Sequence, residues 1–129
     1  MEETGSYQTL LFDVDENGVA TLVLNRPDRH NALNAVMAGE LQDAWTRVRE
    51  DPQIVCAIVT GAGEKAFCTG MDVADVASGE AQRSGSEAVA WDRLTPIQNR
   101  CWKPVIAAVN GMAASGGLHF VVDLSLIHN

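Results

Sequence analysis

The chain has 129 residues, 47% apolar and 20% charged, which is enough for one domain with a real hydrophobic core. A net charge of −8, with nine Lys plus Arg that form no run or stripe, argues against binding nucleic acid or an anionic membrane surface. No stretch of roughly 18 apolar residues could span a bilayer, and the acidic start Met1-Glu2-Glu3-Thr4 is the opposite of a secretory signal.

Residues 8–15 and 19–24 flank Glu16-Asn17-Gly18, and Asn-Gly is a strong hairpin signal between strands. Residues 25–31 are loop by composition, and Asn34 is placed to cap a helix running to about Glu50. Met37, Leu41, Ala44, Trp45 and Val48 share one face of that helix, and Asp51-Pro52 ends it. Residues 54–59 are so continuously apolar that they are expected centrally in a parallel sheet. Residues 74–83 give no clear pattern, 87–100 predict a helix kinked or restarted at Thr95-Pro96, and 105–109 predict a second buried strand. A buried helix is expected to begin at Gly117 and reach Leu124. The order of elements implies an α/β chain with right-handed crossovers. Cys56, Cys68 and Cys101 lack CxxC spacing and read as reduced cytosolic thiols; neither a zinc site nor a disulfide frame is supported.

Each predicted central strand leads into a glycine-bearing turn: Phe67-Cys68-Thr69-Gly70-Met71-Asp72 and Asn110-Gly111-Met112-Ala113-Ala114-Ser115-Gly116-Gly117. Turns of such small residues let backbone N–H groups approach a ligand, and two N–H groups aimed at one spot would form an oxyanion hole. Gly61-Ala62-Gly63-Glu64-Lys65-Ala66 matches a loosened dinucleotide pattern, but Phe67-Cys68-Thr69-Gly70 is no helix start, so a nucleotide site is rejected. Ala113-Ala114-Ser115-Gly116-Gly117 resembles a nucleophile elbow; only fourteen residues follow Ser115, which argues against an α/β-hydrolase triad. A Clp-like serine hydrolase would need His119 or His128 as its base, whereas the simpler expectation for Ser115 is a helix cap.

Taken together, these segments resemble the enoyl-CoA hydratase/isomerase (crotonase) superfamily. Residues 24–34 are similar to its N-terminal loop, 58–61 with 66–72 to its first oxyanion segment, 103–111 to the strand before the second, and Ser115-Gly116-Gly117 to the second segment itself. The resemblance covers roughly residues 7–123 and implies an α/β, ClpP/crotonase-like fold of ββα units, truncated, with 1–123 the N-terminal part of an acyl-CoA-binding domain and 124–129 an atypical tail. It implies an acyl-CoA thioester as substrate, with coenzyme A entering as part of it and no separate cofactor or metal. By the same resemblance the backbone N–H groups of Thr69 and Gly116 stabilise a thioester enolate, and Arg29, Ala32, Thr69, Gly70, Met71, Asp72 and Gly116 contact substrate. Gly116 is expected to be bare so that no side chain intrudes on the thioester.

His119 stands where the family's hydratases place a glutamate, and a neutral imidazole can serve as general base or acid, with Asp123 one turn later able to orient it. The family's second catalytic carboxylate would lie after this chain stops. The family also implies a cytoplasmic homotrimer or hexamer. A non-catalytic acyl-CoA-binding member is the alternative to an enzyme of hydratase or isomerase type.

Overall fold

The computed structural model describes residues 7–78, 91–123 and 126–128. The Asn-Gly hairpin forms: β1 (Leu10–Val14) and β2 (Val19–Leu24) pair antiparallel. Gly18 turns at φ 82°, and Asp15 Oδ1 accepts hydrogen bonds from the N–H groups of Asn17 and Val19. β1 starts two residues later than the sequence predicts because Glu40 takes the N–H groups of Gln8 and Thr9, at 2.7 and 2.8 Å.

The first helix, α1 (Ala35–Glu50), begins as expected, with Asn34 Oδ1 accepting from the Met37 N–H at 2.9 Å. Its predicted face is buried, with Ala38 joining it. After the Asp51-Pro52 break, β3 (Cys56–Gly61) starts late because the Val55 N–H still bonds the Gly18 carbonyl. β5 (Val105–Ala108) lies beside β3, and β7 (Leu126–His128) beside β5. The sheet order is β1-β2-β3-β5-β7, parallel throughout except for the hairpin. The residues at 126–128, which the sequence sets apart as a tail, therefore pair with β5 through Ile106 and Leu126.

β3 is central, but only one of its faces is fully buried. Ala57 and Val59, with Val105 and Ala107 of β5, join the core that contains Met37, Leu41, Trp45 and Val48 of α1. Cys56, Ile58, Thr60, Ile106 and Ala108 on the other face are only half-buried, because α1 packs against one side of the sheet. The apolar run predicted a strand covered on both faces, and the observed cover is one-sided.

The glycine turns do not follow β3 and β5 directly. A second parallel ladder intervenes, made by β4 (Ala66–Cys68) and β6 (Met112–Ala113). A short helix, α2 (Val73–Ser78), follows the first turn, and α3 (Gly116–Val122) follows the second. α3 is less buried than predicted: Gly117 and Phe120 face inward, with Phe120 edge-on to Phe67, whereas Leu118 and Val122 are exposed.

The helix predicted over 87–100 is not present in its described part, since residues 91–100 form turns and a short 3-10 helix, Ile97–Asn99; its residues 87–90, with 79–83 of the unpatterned stretch, lie outside the described residues. Side chains outcompete the helix there. Gln98 Oε1 accepts from the N–H groups of Leu94 and Thr95, Asn99 Nδ2 donates to the carbonyls of Arg93 and Thr95, and Pro96 has no N–H. Among the described residues no helix is long and apolar enough to cross a membrane.

Candidate active site

The loop after β2 turns back on itself through His30 and Asn31, both at positive φ (54° and 57°). Asn31 is fully buried. Its Oδ1 accepts from the Arg26 N–H at 2.9 Å, while its Nδ2 donates to the Ala62 and Ala66 carbonyls at 3.0 Å. Asn110, after β5, clasps the same turn from the other side, accepting from the Gly61 N–H and donating to the carbonyls of Gly63 and Ala66. Buried Asn31 and half-buried Asn110 thus satisfy backbone groups that no strand pairing reaches.

The loop is also bound to the first glycine turn. Leu33 N–H donates to the Gly70 carbonyl at 2.7 Å, and Asp72 N–H donates back to the Leu33 carbonyl at 2.8 Å. Arg26 forms an ion pair with Asp72 at 3.0 Å and donates to the Ala32 carbonyl. Burial pushes the Asp72 carboxyl up, but hydrogen bonds from Arg26 and from the N–H groups of Asp75 and Ala74 outweigh it and hold the group below its ordinary value. Asp72 therefore serves as anchor and as cap of α2, with its carboxylate already engaged.

The two glycine turns meet through β4 and β6. Ala114 N–H donates to the Cys68 carbonyl at 3.1 Å, which sets Thr69-Gly70 against Ser115-Gly116. Contact is close: a Cβ added to Gly70 would lie 2.7 Å from Ser115 Cβ, and Gly70 itself sits at φ 98°. Among the described residues, neither the Thr69 nor the Gly116 N–H donates a hydrogen bond to a protein acceptor. A Cβ on Gly116 would point at Leu33 Cδ1 (3.0 Å) and Gly70 Cα (3.7 Å). Gly116 thus lies where the two turns and the loop touch, and an added Cβ would press only on the movable end of Leu33.

Beside Thr69 opens a cleft of about 470 Å³ lined by Asp28, Arg29, His30, Ala32, Thr69, Met71, Asp72, Val73 and Ala74. It brings together Arg29, Ala32, Thr69, Met71 and Asp72 from the predicted set, with Gly70 and Gly116 forming the adjoining turn contact. Cys68, behind the turn, is fully buried; burial pushes its thiol up despite a hydrogen bond from the Gly70 N–H.

His119 lies on α3 with 61% of its side chain exposed, its Nδ1 3.5 Å from Asp123 Oδ2. Ser115 stands at the cap position with φ 52° and ψ −121°, but its hydroxyl makes no capping bond. Ser115 and His119 meet only through the backbone, His119 N–H donating to the Ser115 carbonyl at 3.3 Å; among the described residues no bond joins the Ser115 hydroxyl to the imidazole, and that link is what a serine triad needs. No group of three or more His, Cys, Asp or Glu side chains among the described residues is arranged to hold a metal ion.

Sequence reasoning passed over Asn31, Asn110 and Leu33 as organisers of the site. The only local signal for Asn31 was an asparagine in a loop, a residue type that tolerates positive φ.

The chain is similar to known proteins in sequence and fold. A family model described as enoyl-CoA hydratase/isomerase matches residues 14–127. The chain is 40% identical over 115 residues to (E)-benzylidenesuccinyl-CoA hydratase of Thauera aromatica, covering 85% of this chain and 43% of that protein. It is 38% identical over 109 residues to carnitinyl-CoA dehydratase of Proteus mirabilis, covering 84% and 41%. The crystal structure of enoyl-CoA hydratase from Bacillus anthracis superposes with a TM-score of 0.78 at 32% identity, over 93% of this chain and 46% of that one. The chain thus spans less than half the length of these relatives, and its sheet and helices match part of the fold of the solved structure. The chain belongs to the enoyl-CoA hydratase/isomerase (crotonase) family.

Proposed function

We propose that this member of the enoyl-CoA hydratase/isomerase family provides the oxyanion-hole part of an acyl-CoA-processing site of hydratase or isomerase type. The carrying observation is the contact between the two glycine turns, with the Thr69 and Gly116 N–H groups left without protein acceptors among the described residues. A thioester carbonyl received there gains two donors as its oxygen takes on enolate charge. Removing one such donor costs about 3–4 kcal/mol of transition-state stabilisation. Because the donors are backbone groups, the threonine side chain at position 69 is compatible with the role.

Arg29, at the mouth of the cleft beside Thr69, supplies a cation for the phosphates of coenzyme A. His119, one turn into α3 from Gly116, moves the proton that the enolate requires: Nδ1 faces Asp123, and Nε2 is the accepting atom. The relatives' names, a hydratase and a dehydratase, support addition or removal of water as the reaction class. We read the assembled protein as a homotrimer or hexamer, which sedimentation equilibrium checks.

The test compares wild type with His119→Glu on short enoyl-CoA thioesters, measuring hydration and, separately, binding. Weak hydration by the wild type that rises in the variant is expected, since the carboxylate can position water where one imidazole does not. Efficient wild-type hydration that is lost in the variant would overturn the role given to His119. Binding without turnover in either protein would favour an acyl-CoA-binding member, a reading suggested by the exposure of the imidazole.

A further inference from the structure

We infer that Thr95 is a positioning residue for His119, acting through Asp123 to select which ring nitrogen of the imidazole carries the proton. The inference rests on the proposed proton-transfer role of His119 for its catalytic meaning, but the positioning itself is measurable without turnover.

The argument starts from the buried hydroxyl. Thr95 is completely buried, and its Oγ1 lies 3.0 Å from Asp123 Oδ2 and 3.3 Å from the Gln98 N–H. A hydroxyl has one hydrogen to give. Gln98 N–H donates to it, so that hydrogen is free to point at the carboxylate. The same Oδ2 lies 3.5 Å from His119 Nδ1. One carboxylate oxygen therefore stands between a buried donor and an exposed ring.

The donor does not move independently of the core. Thr95 N–H donates to Gln98 Oε1, and the Thr95 carbonyl accepts from Asn99 Nδ2 at 2.9 Å. Neighbouring bonds fasten the segment to α1: Trp45 Nε1 donates to the Leu94 carbonyl, and an Arg49 Nη1 donor reaches the Asn99 carbonyl, both at 2.9 Å. Asp123, by contrast, is the C-terminal cap of a seven-residue helix, a place where helices fray. Thr95 ties that carboxylate to the core.

A carboxylate that can only accept favours the tautomer with hydrogen on Nδ1, and this leaves the Nε2 lone pair as the base. An imidazole that is 61% exposed has little else to hold it. Without the Thr95 donor, Asp123 is freer to turn to water, and the ring returns toward its solution preference for hydrogen on Nε2.

The experiment is ¹⁵N NMR of His119 at a pH where the ring is neutral, on wild type, Thr95→Val, Thr95→Ser and Asp123→Ala, with acyl-CoA turnover measured alongside. Expected is a predominantly Nδ1–H ring in wild type, a shift toward Nε2–H in Thr95→Val and Asp123→Ala, and recovery in Thr95→Ser. Asp123→Ala removes the acceptor without altering the buried loop, so it reports even if the valine variant folds poorly. Turnover should fall roughly tenfold or more in step with the tautomer shift, the loss expected for a hydrogen bond to a charged group. Wild type already in the Nε2–H form, a tautomer unchanged in folded Thr95→Val, or one unchanged in Asp123→Ala, would overturn the inference. A tautomer that shifts while turnover stays constant would support the positioning and remove His119 from the proton transfer.

Discussion

Adjacent glycines at the start of α3 should respond to the same substitution in opposite ways. A Cβ at Gly117 would lie 1.9 Å from the Cys68 carbonyl oxygen and 2.6 Å from its carbon. Neither atom is a flexible side-chain end. That carbonyl accepts the Ala114 N–H, and Cys68 is fully buried, so relief requires β4 and α3 to separate by more than an ångström. Overpacking of this kind costs ~1–3 kcal/mol, and losing the Ala114–Cys68 hydrogen bond adds ~0.5–1.5 kcal/mol. Against a total stability of ~5–15 kcal/mol, this is a large fraction. At ~4 °C per kcal/mol, from an unfolding entropy of about 2.1 cal/mol/K per residue, Gly117→Ala should lower Tm by roughly 6–18 °C.

Gly116→Ala meets only the terminal methyl of Leu33, at 3.0 Å, which a rotation can move. Its Tm should stay within a few degrees of wild type. Gly116→Val, whose branches would wedge Leu33 and Gly70 apart, should keep the fold but spread the two N–H donors, with a loss of up to ~10²–10³ in kcat. Thermal unfolding followed by circular dichroism, paired with acyl-CoA turnover, reads both effects. A Gly117→Ala protein with wild-type Tm, or a Gly116→Ala protein equally destabilised, would refute the packing argument. Unchanged kinetics in Gly116→Val would remove that glycine from the oxyanion hole.

The Arg26–Asp72 pair should make the acid limb of stability depend on Asp72. Because its folded-state value is depressed, its contribution is present above the unfolded carboxylate value near ~3.9 and is lost as pH falls through the lower folded value. The stability gap between wild type and Asp72→Asn, measured by urea unfolding, should therefore close on acidification over that window; a gap that widens there would contradict the assignment. Among the thiols, half-buried Cys56 should react with iodoacetamide well before buried Cys68 and Cys101 in the native state, as read by peptide mass spectrometry. Equal labelling of Cys68 would show that the first glycine turn opens readily.

The hairpin, α1 and the positions of the central strands were legible in the sequence because their causes are local. Asn17-Gly18 turns the chain within a few residues, Asn34 caps the turn that follows it, and Met37, Leu41, Trp45 and Val48 share a face at helical spacing. The two glycine-bearing turns were legible too, as small residues after apolar runs, while Thr69 and Gly116 within them were named as donors only through the family resemblance. What brings those turns together was not. The β4–β6 ladder is short, and its pairing depends on partners more than forty positions away, Ala66 with Met112 and Cys68 with Ala113.

The same holds for Asn31 Nδ2 on the Ala66 carbonyl and for Thr95 on Asp123, residues separated by 35 and 28 positions. A polar side chain chooses its partner only after folding has placed unsatisfied backbone groups or a carboxylate beside it, and local sequence carries no trace of that choice. Residues 91–100 show the converse: helical spacing predicted a helix, but Gln98 and Asn99 took the backbone groups a helix needs and bound the segment to α1. Local spacing could propose a helix, and only the tertiary contacts could overrule it.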